Sequence, residues 1–288
     1  MPLGRIIVPV SGTRLLESKL DHALALARRF DSRIDVLFVH GATDPLTVDQ
    51  SSVSDAARDT AEIEWSREAP TVSEVQELVD RWLQARSVAR HGAPDHRTGP
   101  RVAFLELRSI DSPKLRDHAH TSDLIVIGQL GDRMTPLEAE INRLSVMESG
   151  RIVLVVPEAA PAAESMFTRA LIAWDAGLRV SRTVSFALPI LSATKQVTVY
   201  TSADPSSAGN LQHLLLDYLA CNGITADLLV EDLGTDRIGD VLVGSAEKWD
   251  VSLICMGAYE HARTVELLIG GNTWHVYAHS KVPALFSR

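Results

Sequence analysis

A chain of 288 residues has room for about two globular units of ordinary size, and a composition of 45% hydrophobic and 23% charged residues lets each unit bury its own core. The formal net charge of −9, from 37 acidic against 28 basic side chains, argues against nucleic acid and anionic membrane as main partners. Two cysteines, Cys221 and Cys255, make no disulfide framework and read as buried free thiols in a reducing compartment.

The chain opens on Ile6-Ile7-Val8-Pro9-Val10, a β-branched run closed by Ser11-Gly12. The run is too short for a signal-peptide core, and no apolar stretch reaches the length of a membrane span, so the expected location is the cytoplasm. A continuous apolar run bounded by a turn fits a strand buried on both faces of a parallel sheet. Leu16, Leu20, Ala23, Leu24 and Ala27 then recur at helical spacing up to Phe30, and Ile34 to Val39 gives a second strand. Strand, helix and strand at this spacing form a βαβ unit with a right-handed crossover. A longer excursion, about 42–100, carries a helix-like span around Val72 to Ala89 between ends rich in Ser, Asp, Gly and Pro. Val102 to Leu107, the helical Pro113 to His120, Leu124 to Ile127 and Ile152 to Val156 complete five strands of a doubly wound α/β sheet.

Pro157 to Glu164 has two prolines and no large apolar residue, which marks a linker at 158–166 between domains 1–157 and 167–288. After it the pattern restarts. Ala170 to Asp175 begins the second half, a helix follows from about Arg179, and Val197 to Tyr200 is a strand. A helix from Ser207 to Cys221 stops at Asn222-Gly223. Strand Ala226 to Val230, helix Arg237 to Lys248, strand Val251 to Met256, a helix from near Asn272 and Ala284-Leu285-Phe286 close the sheet. The halves overlay: Ile7 to Ser11 on Leu171 to Asp175, and Asp123 to Gly128 on Ser252 to Gly257. The expectation is two repeats of a five-stranded parallel sheet, and a repeat this long is a duplicated domain rather than a solenoid unit.

Parallel sheets of this kind collect ligands beyond the carboxyl ends of the strands, where strand order reverses. That points to the turns after the first and fourth strands. In the second half the fourth-strand turn reads Met256-Gly257-Ala258-Tyr259-Glu260-His261-Ala262-Arg263, with Leu267-Leu268-Ile269-Gly270-Gly271-Asn272-Thr273 downstream. Glycines let backbone amides face an anion with no Cβ in the way. The second cluster opens a helix, whose unpaired N–H groups and positive dipole end add to such a site.

These residues resemble the universal stress protein family, whose ATP-binding members carry Gly-x-x-Gly after the fourth strand and then a glycine with a Ser or Thr. The resemblance covers both halves in outline. It implies a stress-response protein whose second domain binds ATP or a related adenine nucleotide, with or without a magnesium ion. Gly257, Gly270, Gly271, Asn272 and Thr273 would cradle the phosphates, and Asp175, at the end of the first strand, would touch the adenosine part. It also implies that the two domains pair through edge strands as an intramolecular pseudo-dimer, and it leaves a homodimer of the chain open.

The second half departs from the family at Glu260, which stands at the second glycine. Like charges close together in a shielded site cost on the order of a few kcal/mol, and His261 and Arg263 are the nearby cations that offset it. The first half departs further. Gly128-Gln129-Leu130-Gly131 is kept, but Ile141-Asn142-Arg143-Leu144-Ser145 has no glycine and Ser11 replaces the first-strand Asp, so this half is expected not to bind.

Rival motifs fail on their chemistry. Gly234 to Gly239 is followed by Asp240 where a P-loop needs Lys, and no Gly-x-Gly-x-x-Gly occurs. His275 and His279 share a helix face without a third metal ligand, and His118 and His120 face different ways. Trp174 could stack on a base, though a packed strand end explains it as well. No nucleophile motif occurs, so the expectation is binding without catalysis. The alternatives are an interaction module with both sites decayed, and a slow adenine-nucleotide hydrolase for which no base beyond Asp175 is in sight.

Overall fold

The computed structural model describes residues 3–40, 70–92, 99–107, 113–131, 133–202, 211–231, 237–258 and 271–288. In chain order they form β1 (Arg5–Val10), α1 (Leu16–Phe30), β2 (Arg33–Val39), α2 (Val72–Arg86), β3 (Ala89–Arg90), β4 (Arg101–Leu107), α3 (Pro113–His120), β5 (Leu124–Gly128), α4 (Pro136–Met147) and β6 (Ile152–Val156). A 3₁₀ turn at Ala163–Phe167 leads into β7 (Arg169–Ala173), α5 (Leu178–Ala193), β8 (Gln196–Ser202), α6 (Leu211–Cys221), β9 (Ala226–Glu231), α7 (Ile238–Trp249), β10 (Leu253–Gly257), α8 (Asn272–His279) and β11 (Ala284–Ser287).

The strands lie in one sheet, in the order β3-β4-β2-β1-β5-β6-β11-β10-β7-β8-β9. Setting aside the two-residue β3, each half has its third strand outermost, then second, first, fourth and fifth, all parallel. The halves meet through one antiparallel ladder, with Val153 opposite Phe286, Leu154 opposite Leu285 and Val155 opposite Ala284. This is the expected α/β architecture, two five-stranded repeats, fused into a continuous sheet.

Local chemistry explains the elements. β5 and β6 are apolar and buried throughout, as central parallel strands covered on both faces must be. Helix α1 buries Leu16, Leu20, Ala23, Leu24 and Ala27, carries Arg28 and Arg29 where its dipole is negative, and stops at Asp31 in the left-handed region. Helix α2 starts with a capping box: the Thr71 hydroxyl accepts from the Glu74 amide, and the Glu74 carboxylate accepts from the Thr71 amide.

One apolar layer holds Leu20, Val79, Val184 and Leu215, from α1, α2, α5 and α6, on one sheet face. The other holds Leu115, Ile141, Leu242 and Val276, from α3, α4, α7 and α8. Each layer runs through both repeats, so they share core as well as sheet.

The structure adds three things to the sequence reading. Helix α4 occupies 136–147, where the reading assigned no element. The stretch read as linker ends in the 3₁₀ turn, with Ala163 and Met166 buried. Cys221 is exposed rather than buried, while Cys255 is fully buried and burial pushes its thiol up to about 12.

Candidate functional site

In each repeat the strand order reverses between the first and fourth strands, β1 beside β5 and β7 beside β10. The helices that follow these two strands lie on opposite faces, which leaves a crevice beyond the carboxyl ends.

The first crevice is filled by the chain's own side groups. Arg14, in the turn after β1, donates from Nη1 to Glu138 Oε1 at 2.9 Å and from Nη2 to the Gln129 carbonyl at 2.7 Å and Glu158 Oε1 at 3.0 Å. Glu138 comes from the first turn of α4, and Glu158 from the segment just after β6. A Cβ on Gly131 would stand 2.6 Å from Glu158 Oε1 and 2.9 Å from Arg14 Nη2. The glycine is therefore where these two side chains sit down on the backbone. Lys19, one turn along α1, is buried at 2% exposure. Loss of hydration pushes its ammonium down to about 8, opposed by the attraction of Glu138 and aided by the repulsion of Arg14. The sequence reading named none of Arg14, Lys19, Glu138 and Glu158. The signal for Glu138 was present, since Thr135-Pro136-Leu137-Glu138 is a cap residue, a first-turn proline and a first-turn acid.

In the second crevice the structure brings together the ends of β7 and β10 and the start of α8. Asp175 is exposed beyond β7 and accepts from the Gly177 amide at 2.7 Å, a turn in which Ala176 takes φ 59°. Gly257 ends β10 and is pressed against α5: a Cβ there would lie 2.9 Å from the Val180 amide nitrogen. Its role is close packing of strand on helix rather than an open surface. Thr273 donates its hydroxyl to the Gly257 carbonyl at 3.2 Å, and Asn272 Oδ1 accepts from the Gly239 amide at 3.2 Å. Both side chains thus anchor α8, leaving its first amides as the groups that can meet an anion. Gly271 caps α8 with no side chain of its own to bond those amides, and among the described residues a Cβ on it would meet nothing within 4 Å. Gly270, Glu260, His261 and Arg263 lie outside the described residues.

The tether from α8 to β10 has a counterpart in the first repeat, where Asn142 Nδ2 donates to the Gly128 carbonyl at 2.9 Å. Trp174 is half-buried, and its buried indole N–H has no partner among the described residues.

Histidines do other work. His275 pairs with Asp240 at 2.9 Å and lies with its ring centroid 4.7 Å from that of His279. His118 meets Arg5 at 2.7 Å, and His120 lies near the Glu148 carbonyl. Among the described residues no three His, Cys, Asp or Glu side chains cluster to hold a metal, and no helix is long and apolar enough to cross a membrane.

No family model matches the chain, and no curated protein matches it. Solved structures do match. A universal stress protein from Archaeoglobus fulgidus DSM 4304 superposes with a TM-score of 0.66 at 16% identity, over 99% of this chain and 98% of that one. A provisionally assigned universal stress protein from Pseudomonas aeruginosa UCBPP-PA14 gives 0.55 at 15% identity, over 99% and 93%. A functionally unknown protein from Pseudomonas aeruginosa PAO1 gives 0.52 at 15% identity, over 99% and 92%. The chain is similar to these over its whole length, and at such identities the likeness establishes the fold.

Proposed function

We propose that this chain is a tandem universal-stress-type protein of the cytoplasm, and that its second domain binds ATP or a related adenine nucleotide without turning it over. The domains are 1–157 and 167–288, joined by 158–166 and paired as an intramolecular pseudo-dimer across β6 and β11. The observation that carries the binding assignment is the difference between the two crevices. In the first, a carboxylate and a guanidinium of the chain occupy the glycine. In the second, the N-terminus of α8 begins at an exposed glycine with no side-chain cap among the described residues, and an exposed carboxylate stands beyond the neighbouring strand.

Unpaired amides of a helix's first turn favour an anion through both hydrogen bonds and the dipole. Phosphates held there place the nucleoside toward β7, where Asp175 accepts from a ribose hydroxyl and the half-buried Trp174 lies nearby. A magnesium ion would travel with the phosphates. Calorimetric titration of the whole chain with ATP tests this: saturable binding at submillimolar nucleotide is expected, weakened at least tenfold by Asp175→Ala. Absence of heat at millimolar ATP sinks it.

A second reading has its own support, because Gly257, Asn272 and Thr273 all serve packing. In it both crevices have decayed and the chain acts by contacting other proteins. Glu260→Gly separates the two. A gain of nucleotide binding from nothing marks a decayed site, whereas a wild-type chain that already binds ATP removes this reading.

A further inference from the structure

We propose that the first crevice is an anion site occupied in cis, with the carboxylate of Glu158 acting as the chain's own ligand, and that an external phosphate-type anion takes its place when that carboxylate is removed. The proposal does not depend on what the second domain binds.

The argument begins with charge. Arg14 and Lys19 bring two cations into a poorly hydrated pocket, and Glu138 and Glu158 bring two carboxylates. The four are not equivalent. Glu138 is held in the first turn of α4, its side chain only 9% exposed, and it neutralises one cation from within. Glu158 comes in from the chain after β6 with its side chain 38% exposed, so solvent and solutes reach it. Without Glu158, one positive charge is left uncompensated where water screens poorly, and such a charge demands an anion.

Geometry gives the anion its place. Glu158 Oε1 would fall 2.6 Å from a Cβ on Gly131, so any side chain there would collide with it. Only a bare backbone lets an oxygen come so near, which is how glycine loops receive phosphate oxygens. Arg14 offers the planar fork that suits carboxylate and phosphate alike. Its buried Nε has no hydrogen-bond partner among the described residues, a donor not yet used. The occupant is also held by its backbone: the Glu158 amide donates to Gln129 Oε1 at 3.0 Å, and Gln129 Nε2 donates to the Ser280 carbonyl at 2.8 Å. The side chain can therefore be removed while the segment stays in place.

The test uses the full chain and inorganic phosphate, titrated at constant ionic strength by calorimetry and by thermal melting. Binding by the wild type reports any other anion site and is the baseline. Glu158→Ala is expected to bind one more phosphate than wild type, at least tenfold more tightly than any weak wild-type component, and to melt at a higher temperature as phosphate is added. Glu158→Gln, which keeps the shape of the side chain, is expected to gain binding more weakly. Arg14→Ala added to either variant is expected to abolish the gain. If both variants fold and neither binds phosphate beyond the wild-type baseline, the proposal is wrong. It is equally wrong if the gain survives the loss of Arg14.

Discussion

At Gly257 an added Cβ meets the Arg179 Cβ and the Val180 amide, both at 2.9 Å and both parts of a helix that cannot swing aside. At Gly271, fourteen residues on, the same addition meets nothing within 4 Å among the described residues. Gly257→Ala is therefore expected to destabilise the fold by about 1–3 kcal/mol, as overpacking does, while Gly271→Ala at an N-cap costs less than about 1 kcal/mol. Urea titrations of the two variants check the contrast. Lys19 gives a second prediction, with a pH signature. Its folded pKa of about 8 lies below the ordinary 10.5, so the ammonium is disfavoured in the folded state. The unfolded chain holds that proton more tightly, and the cost is fully present below pH 8 and fades as pH rises from there toward 10.5. Wild-type stability is therefore expected to rise between pH 8 and 10.5 through this group, and Lys19→Met is expected to flatten that rise in urea titrations run across the range. A variant whose stability rises as steeply as the wild type's over that range would contradict this.

Helix α2 depends on one carboxylate of α1. Asp21 Oδ1 accepts from the Trp82 indole at 2.8 Å and from Arg86 Nε at 3.0 Å, and Oδ2 accepts from Arg86 Nη2 at 2.9 Å. Asp21→Ala removes all three bonds at once. Amide exchange in 72–86 is expected to speed up while β5 and β6 keep their protection, and equal loosening of both would contradict this. The apolar seed of α2 was legible, since Val75 and Val79 sit at helical spacing and both are buried. The Asp21 contact was not, because it joins residues far apart in sequence by direction rather than by pattern. Central strands were the clearest elements, because burial on both faces leaves an unbroken apolar run. Helix α4 went unassigned: with Glu138, Asn142 and Ser145 buried on it, its inward face is partly polar and its apolar spacing is blurred. From that polar face Glu138 reaches Arg14 in the first crevice. Thus the sequence showed that 141–145 holds no glycine, but not that Arg14, Glu138 and Glu158 pair in the first crevice. In the second site the Thr273 hydroxyl binds the Gly257 carbonyl at the end of β10 and the Asn272 side chain accepts from the Gly239 amide, so both side chains hold α8 in place.

The two repeats share a ladder and two apolar layers, and side-chain bonds cross the seam as well. Gln129 reaches Ser280, and Arg288 Nη1 donates to the Met147 carbonyl at 3.3 Å. A seam built from Val153, Leu154, Leu285 and Phe286, all nearly inaccessible, leaves neither repeat a complete core by itself. Urea unfolding is therefore expected to be one transition, coincident by tryptophan fluorescence and far-ultraviolet circular dichroism. Two resolved steps would show that the repeats are energetically separate. Each crevice is built from its own half's loops on a common sheet, so one can close without harm to the other. The central claim is that asymmetry: one crevice satisfied from within, the other left to an adenine nucleotide. Native mass spectrometry of the intact chain with added ATP tests it most directly. The account predicts a single added nucleotide per chain, lost in Asp175→Ala and retained in Arg14→Ala; two nucleotides per wild-type chain, or none at millimolar ATP, would contradict it.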